Sequence, residues 1–209
     1  VTTRLELVNA VQRWLHRAND VELVADMGLI IRNVEARFAR EVRHSSQEGV
    51  AQLTITGRSG PLPTDCLHVR SLSLASGDAR RLDQVTAEVL REGAWWTDGG
   101  TPRMFCVSGR VVYVAPTADA TVGTVFDLVY FARFPALVND ADTNYLLTNH
   151  FDLYLYAALA EAAQYIQDRE ARLEFEAQYQ DIRRNLEEQD LAFKSSGSAR
   201  RVIGSGFMV

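Results

Sequence analysis

Residues Thr143–Asp168 read TNYLLTNHFDLYLYAALAEAAQYIQD, and the fold turns on how this stretch is read. Between Leu153 and Ile166 only Glu161 and Gln164 are strongly polar, and Tyr154, Tyr156 and Tyr165 are amphipathic. Gly and Pro are absent and no β-branched residue precedes Ile166, so the stretch favours helix. A helix that is apolar nearly all round is either buried on more than one side or spans a membrane. Spanning takes about 20 apolar residues, whereas the unbroken run here is Leu153–Ala160. The sequence therefore predicts a central buried helix over Asp152–Gln167, with Asp152 as its N-cap. Glu161 is the one charge on that helix: a buried acid of raised pKa, or, as buried charges usually are, a residue paired with an arginine or emerging at a subunit contact.

Helical periodicity continues on both sides. Thr3 and Glu6 form a capping-box pattern at the start of a helix over Arg4–His16, with Leu5, Val8, Val11 and Leu15 at helical spacing. A second helix over Glu22–Arg43 places Leu23, Met27, Ile30, Ile31, Val34, Phe38 and Val42 on one stripe. Gly28 within it raises the prospect of a break or a close helix contact. After the central helix, Asp168-Arg169 reads as a bend and Arg169–Lys194 as a long charged helix, with Leu173, Phe175, Tyr179, Ile182, Leu186 and Phe193 available for packing. Residues 152–194 are rich in Asp and Glu, so much of this surface is acidic.

The middle of the chain changes period. Leu53–Thr56 and His68–Ala75 read as strands, and Arg80–Arg91 as a short helix with Asp83 as N-cap and Val85, Val89 and Leu90 inward. Arg103–Ala115 carries the clearest β pattern, a hairpin turning at Ser108-Gly109, and Thr124–Phe134 supplies another strand. The expected fold is α+β. A helical bundle (1–44 and 143–194) holds a small antiparallel sheet inserted at about 50–134, within one domain spanning 1–194. Residues 195–209 form an extended C-terminal arm, flexible by composition at Ser195–Ser198. The arm carries Arg200 and Arg201 and then the apolar Val202, Ile203, Phe207, Met208 and Val209, too few to make a core: a segment that orders on a partner, or a frayed terminus.

Composition narrows the function. The 209 residues are 47% hydrophobic and 23% charged with a net charge of −5, which leaves no overall basic footprint for nucleic acid. An acidic surface repels a phosphate backbone within the screening length of about 8 Å. Cys66 and Cys106 have no CxxC partner and no histidine at ligand spacing, so two thiols in a protein made in a reducing cytosol are expected. The N-terminal VTTRLELVN lacks the apolar core of a signal peptide. His16, His44, His68 and His150 lie on separate segments and no catalytic motif appears, so no cofactor or metal is expected. Two rival readings remain: a small cytosolic enzyme with a site around Cys66 and His68, and a nucleic-acid-binding module stacking bases on Trp95 and Trp96. A tryptophan pair is more often a hydrophobic plug or an interface anchor.

Several blocks, in order, resemble the head–tail adaptor proteins of tailed bacteriophages and gene transfer agents. They are Trp14-Leu15, Phe38-Ala-Arg-Glu41, Leu62-Pro-Thr-Asp65, Pro102 before a hairpin ending in Ala115-Pro116, and Tyr130-Phe-Ala-Arg-Phe-Pro-Ala-Leu137. Thr143-Asn-Tyr-Leu-Leu147 and Asp152-Leu-Tyr-Leu-Tyr-Ala-Ala-Leu-Ala-Glu161-Ala162 complete the series. The resemblance implies a non-enzymatic structural protein of the virion neck: a ring of about twelve copies under the portal, made in the host cytoplasm and not membrane-bound. Its channel would pass genomic DNA without sequence-specific binding, and its far face would receive a neck, stopper or tail component. It also implies a portal-gripping role for the arm residues 200–203 and 207–209. Trp95, Trp96, Tyr154, Tyr156 and Glu161 are then the candidate subunit-interface residues.

Overall fold

The computed structural model describes residues 2–17, 20–76, 80–92, 96, 99–119 and 121–195. In chain order the elements are α1 (Arg4–Trp14), α2 (Val21–Glu41), β1 (Glu48–Ile55), β2 (Ser59–Pro61), β3 (Cys66–Leu74) and β4 (Asp83–Gln84). Then come α3 (Ala87–Arg91), β5 (Met104–Ser108), β6 (Val111–Ala115), β7 (Thr124–Ala132), α4 (Tyr145–Asn149), α5 (Phe151–Tyr165) and α6 (Arg169–Ser195). The fold is α+β, as expected. It divides into a helical unit (Val1–Ser46 and Phe134–Val209) and a β unit (Gln47–Arg133).

In the helical unit, α5 is the buried centre. Leu153, Tyr154, Leu155, Leu159 and the alanines at 157, 158, 160, 162 and 163 are all buried, and α1, α2, α4 and α6 pack around it. The alanines present little bulk, which lets neighbouring helices approach while Tyr154 and the leucines fill the gaps. The capping box of α1 forms as its sequence pattern requires: Glu6 N–H donates to Thr3 Oγ1 at 3.4 Å and Thr3 N–H to Glu6 Oε2 at 3.2 Å. Gly28 neither breaks α2 nor allows a close helix contact, since a Cβ there would lie 3.8 Å from the nearest atom, on Arg4.

The start of α5 differs from the expected Asp152 cap. His150 ends α4, donating its N–H to Leu146 O at 2.7 Å, and is at the same time the N-cap of α5 without a side-chain hydrogen bond. Asp152 sits inside the first turn, where its charge still suits the helix dipole. At the other end, Gln167 takes a left-handed backbone (φ 61°), and Asp168 N–H closes back on Ala163 O at 2.9 Å. This is Schellman-type geometry. Asp168 Oδ1 then accepts from Ala171 N–H at 3.0 Å, which starts α6. The bend read from Asp168-Arg169 is thus a C-cap followed at once by an N-cap.

The β unit holds two sheets rather than the one small sheet expected. One is β1-β7-β3, antiparallel throughout; the other is β2-β6-β5-β4, antiparallel except for the parallel β4–β5 pair. Their apolar faces share one core, with Ile55, Leu72, Phe126 and Leu128 from the first and Phe105, Val112 and Val114 from the second. The β5–β6 hairpin turns at Gly109-Arg110, one residue later than expected, with Gly109 at φ 61°. The expected helix over Arg80–Arg91 shrinks to α3, capped by Thr86 and not Asp83. The reason lies in the ladder: the N–H groups of Leu82, Asp83 and Val85 donate to Leu72, Arg103 and Phe105 carbonyls at 2.8–2.9 Å. Leu90 is buried, but Val89 faces outward and is 44% exposed.

Candidate assembly surfaces

The residues nominated by the sequence fall into different surroundings. Trp95 and all seven arm residues (Arg200, Arg201, Val202, Ile203, Phe207, Met208 and Val209) lie outside the described residues. Trp96 is half-buried, with the Arg58 and Arg91 guanidiniums 5.0 and 5.9 Å from its ring centroid. Arginine thus already occupies the ring surface that base stacking would need. Cys66 and Cys106 are free thiols. Burial pushes the Cys66 thiol up, against a partial offset from Arg110, which is opposite to what a reactive thiolate requires.

Tyr154 and Tyr156 diverge because two residues turn a helix by about 200°. Tyr154 is 1% exposed, edge-on to Phe38 at 4.7 Å, and its oxygen accepts from Asn144 Nδ2 at 2.8 Å. Its surface is consumed inside its own chain, which leaves nothing for a neighbouring subunit. Tyr156 is only half-buried. It touches Trp14 edge-on at 5.7 Å and Phe175 at 6.4 Å, so α1, α5 and α6 meet in one aromatic row. Trp14 is 49% exposed there. Glu161 is half-buried, and no arginine pairs with it among the described residues. Of the apolar α6 residues expected to pack, Tyr179 and Leu186 are buried, while Leu173 and Phe193 are exposed.

The root of the C-terminal arm is fixed by a latch that the sequence did not signal. Asp190 is 5% exposed; its Oδ1 accepts from Ser45 N–H at 2.9 Å and its Oδ2 from Lys194 Nζ at 2.5 Å. His44 Nε2 is 3.7 Å from the same carboxylate, and the His44 ring packs 5.7 Å from that of His150. The latch ties the end of α2 to the last turns of α6 and to the α4–α5 junction. Burial opposes ionisation of Asp190, but the Lys194 and Ser45 hydrogen bonds outweigh it and hold the carboxyl at about 2. A carboxyl lowered on folding adds stability above its unfolded value, near 3.8, and that stability is lost as pH falls through about 2. Asp190→Asn should therefore cost about 1–3 kcal/mol at neutral pH and flatten the loss of stability between the two values. Acid titrations of chemical unfolding check this; parallel wild-type and variant curves would refute it.

Among the described residues no group of His, Cys, Asp and Glu is placed to hold a metal ion, and no helix is long and apolar enough to cross a membrane. What the described surface offers is contact: an exposed aromatic row, a charged helix and an anchored arm root on an α+β frame. The chain belongs to the SU10 adaptor protein family, whose model matches residues 2–202. It is accordingly a bacteriophage adaptor, a structural virion component that contacts other capsid or tail components. A search of curated proteins finds no match.

Proposed function

We propose that this protein is a head–tail adaptor of the virion neck, a ring of about twelve copies seated under the portal. The ring extends the DNA channel and receives the next neck, stopper or tail component on its far face. The observation that carries the reading is the family match, which runs through both units and past the end of α6. The net charge of −5 suits a channel past which DNA slides without sticking. Within the ring, Trp96, Tyr156 and Glu161 contribute to subunit contacts, and the arm grips the portal through Arg200, Arg201, Val202, Ile203, Phe207, Met208 and Val209.

Mixing the purified chain with a portal tests this: negative-stain images should show a ring on one portal face. A chain that stays monomeric and leaves the portal bare would end the reading. The arm is tested separately by truncation after Ser195, since α6 runs through that residue and the Asp190 latch lies before it. The truncated protein should keep its melting temperature and lose portal binding; unchanged binding removes the arm from the interface.

A further inference from the structure

The β unit carries an open cleft of about 1060 Å³ whose lining includes Arg58, Arg80, Arg103, Thr101, Thr117 and Asp119. The three arginines come from three chain segments, and the sheet hydrogen bonds set each backbone. Val114 N–H donates to Arg58 O at 2.9 Å, Leu74 N–H to Arg80 O at 3.0 Å, and Arg103 N–H to Ala115 O at 2.9 Å. Arg58 also donates to Thr117 Oγ1 at 3.2 Å. No carboxylate pairs with any of the three among the described residues, whereas Arg4, Arg37, Arg70 and Arg183 each have one. Among the described residues the one acid in the lining is Asp119, already engaged by the N–H groups of Thr121 and Val122 at 2.7 and 3.1 Å. The cleft thus brings three arginines together, Arg58 held by Thr117, with no carboxylate partner among the described residues, and such a group suits planar oxyanions.

The complementary charge is on the same chain. Glu170, Glu174, Asp181 and Glu188 are exposed on α6, and at 100° per residue they fall within about 40° of one another, along about 27 Å of helix. Glu170, Glu174 and Glu188 have no counter-ion among the described residues. Among the described residues Asp181 has only Arg184, at 3.4 Å in a largely exposed pair. A closed ring is built from heterologous contacts, in which one face of each copy meets a different face of the next. That arrangement requires two unlike, complementary patches per chain. We infer that the arginine cleft of one copy receives the acidic stripe of α6 from a second copy. The inference rests on the ring reading above and names the surfaces that close it.

Charge reversal tests it. The cleft variant is Arg58→Glu with Arg80→Glu and Arg103→Glu; the stripe variant is Glu170→Arg with Glu174→Arg and Glu188→Arg. All six positions are exposed, and circular dichroism and melting temperature verify that each variant folds. Ring formation, alone and on a portal, is read by sedimentation and negative-stain imaging. Each variant alone should associate on the order of 100-fold more weakly than wild type, because like charges then meet at every contact. An equimolar mixture should restore rings, since in an alternating ring each reversed cleft meets a reversed stripe and each wild-type cleft meets a wild-type stripe, opposite signs at every contact. Folded variants that assemble as wild type does, or a mixture that stays dispersed, would overturn the inference and leave the adaptor reading standing. Intact assembly with loss of duplex-DNA affinity in the cleft variant would overturn it too, by marking a phosphate site. A wild-type chain that forms no ring in either setting removes the ring reading, and this inference with it.

Discussion

Replacing Tyr154 with alanine is expected to destabilise the helical unit by about 3–5 kcal/mol, the range for truncating a large aromatic in a packed core. The side chain is 1% exposed and stands between Phe38 of α2 and the Asn144 cap of α4. Three losses combine: the buried ring, the edge-to-face contact at 4.7 Å, and the acceptor for Asn144 Nδ2. Asn144 keeps its bond to Pro135 O at 3.0 Å and its cap on Leu147 N–H at 2.9 Å, so one donor is orphaned and the cap survives. Tyr154→Phe isolates that donor and should cost about 1–2 kcal/mol. Urea unfolding followed by the far-UV helical signal separates the two, and the signal reports chiefly on the helical unit because α3, in the β unit, is only five residues long. An alanine variant with the wild-type midpoint would mean that α5 is not the centre of the bundle.

How much of this was legible beforehand follows from which signals are local. The burial of α5 was legible because its apolar residues cover the whole circumference, α2 because it shows one stripe, and α1 by its capping box, although Leu5 of its expected stripe is exposed and Leu7 is buried instead. The role of each tyrosine was not. Periodicity tells that Tyr154 and Tyr156 face different ways, but not which side the chain's own helices cover. The Asp152 cap failed because α4 and α5 share His150, so no separate capping residue lies between them. The helix over Arg80–Arg91 failed because hydrogen bonds to residues ten or more positions away override local propensity. The Asp190 latch and the arginine cleft join residues far apart in sequence, and no spacing rule marks such sites. The adaptor family was legible from the order of its blocks, which survives even where single motifs are weak.

Removing the guanidinium of Arg37 should be nearly as damaging, and the effect should depend on pH. Arg37 leaves α2 and grips Glu176 on α6 with two bonds of 2.5 and 2.8 Å, while its Nε lies 3.1–3.2 Å from both oxygens of Glu41. It also stacks 4.0 Å over Tyr179, whose hydroxyl donates to Glu41 Oε2 at 2.9 Å. The Arg37 side chain is 12% exposed, but Glu41 and Glu176 are about a third exposed, so water screens part of what remains after its loss. Arg37→Ala should therefore cost about 2–3 kcal/mol, below the range for breaking a fully buried pair. Arg37→Lys restores charge without the planar fork and should recover less than half of the loss. The Arg37 hydrogen bond, against partial burial, holds the Glu176 carboxyl below its usual range. A carboxyl lowered on folding contributes stability above its unfolded value, near 4.5, and that contribution disappears as pH falls through the folded value. Wild type should thus lose stability on acidification through this window, and Arg37→Ala should lose less. A double-mutant cycle with Glu176→Gln decides whether the two residues act as one clamp: coupling of about 1 kcal/mol or more is expected at neutral pH, shrinking in acid. Strict additivity would show that Arg37 and Glu176 do not act as one clamp.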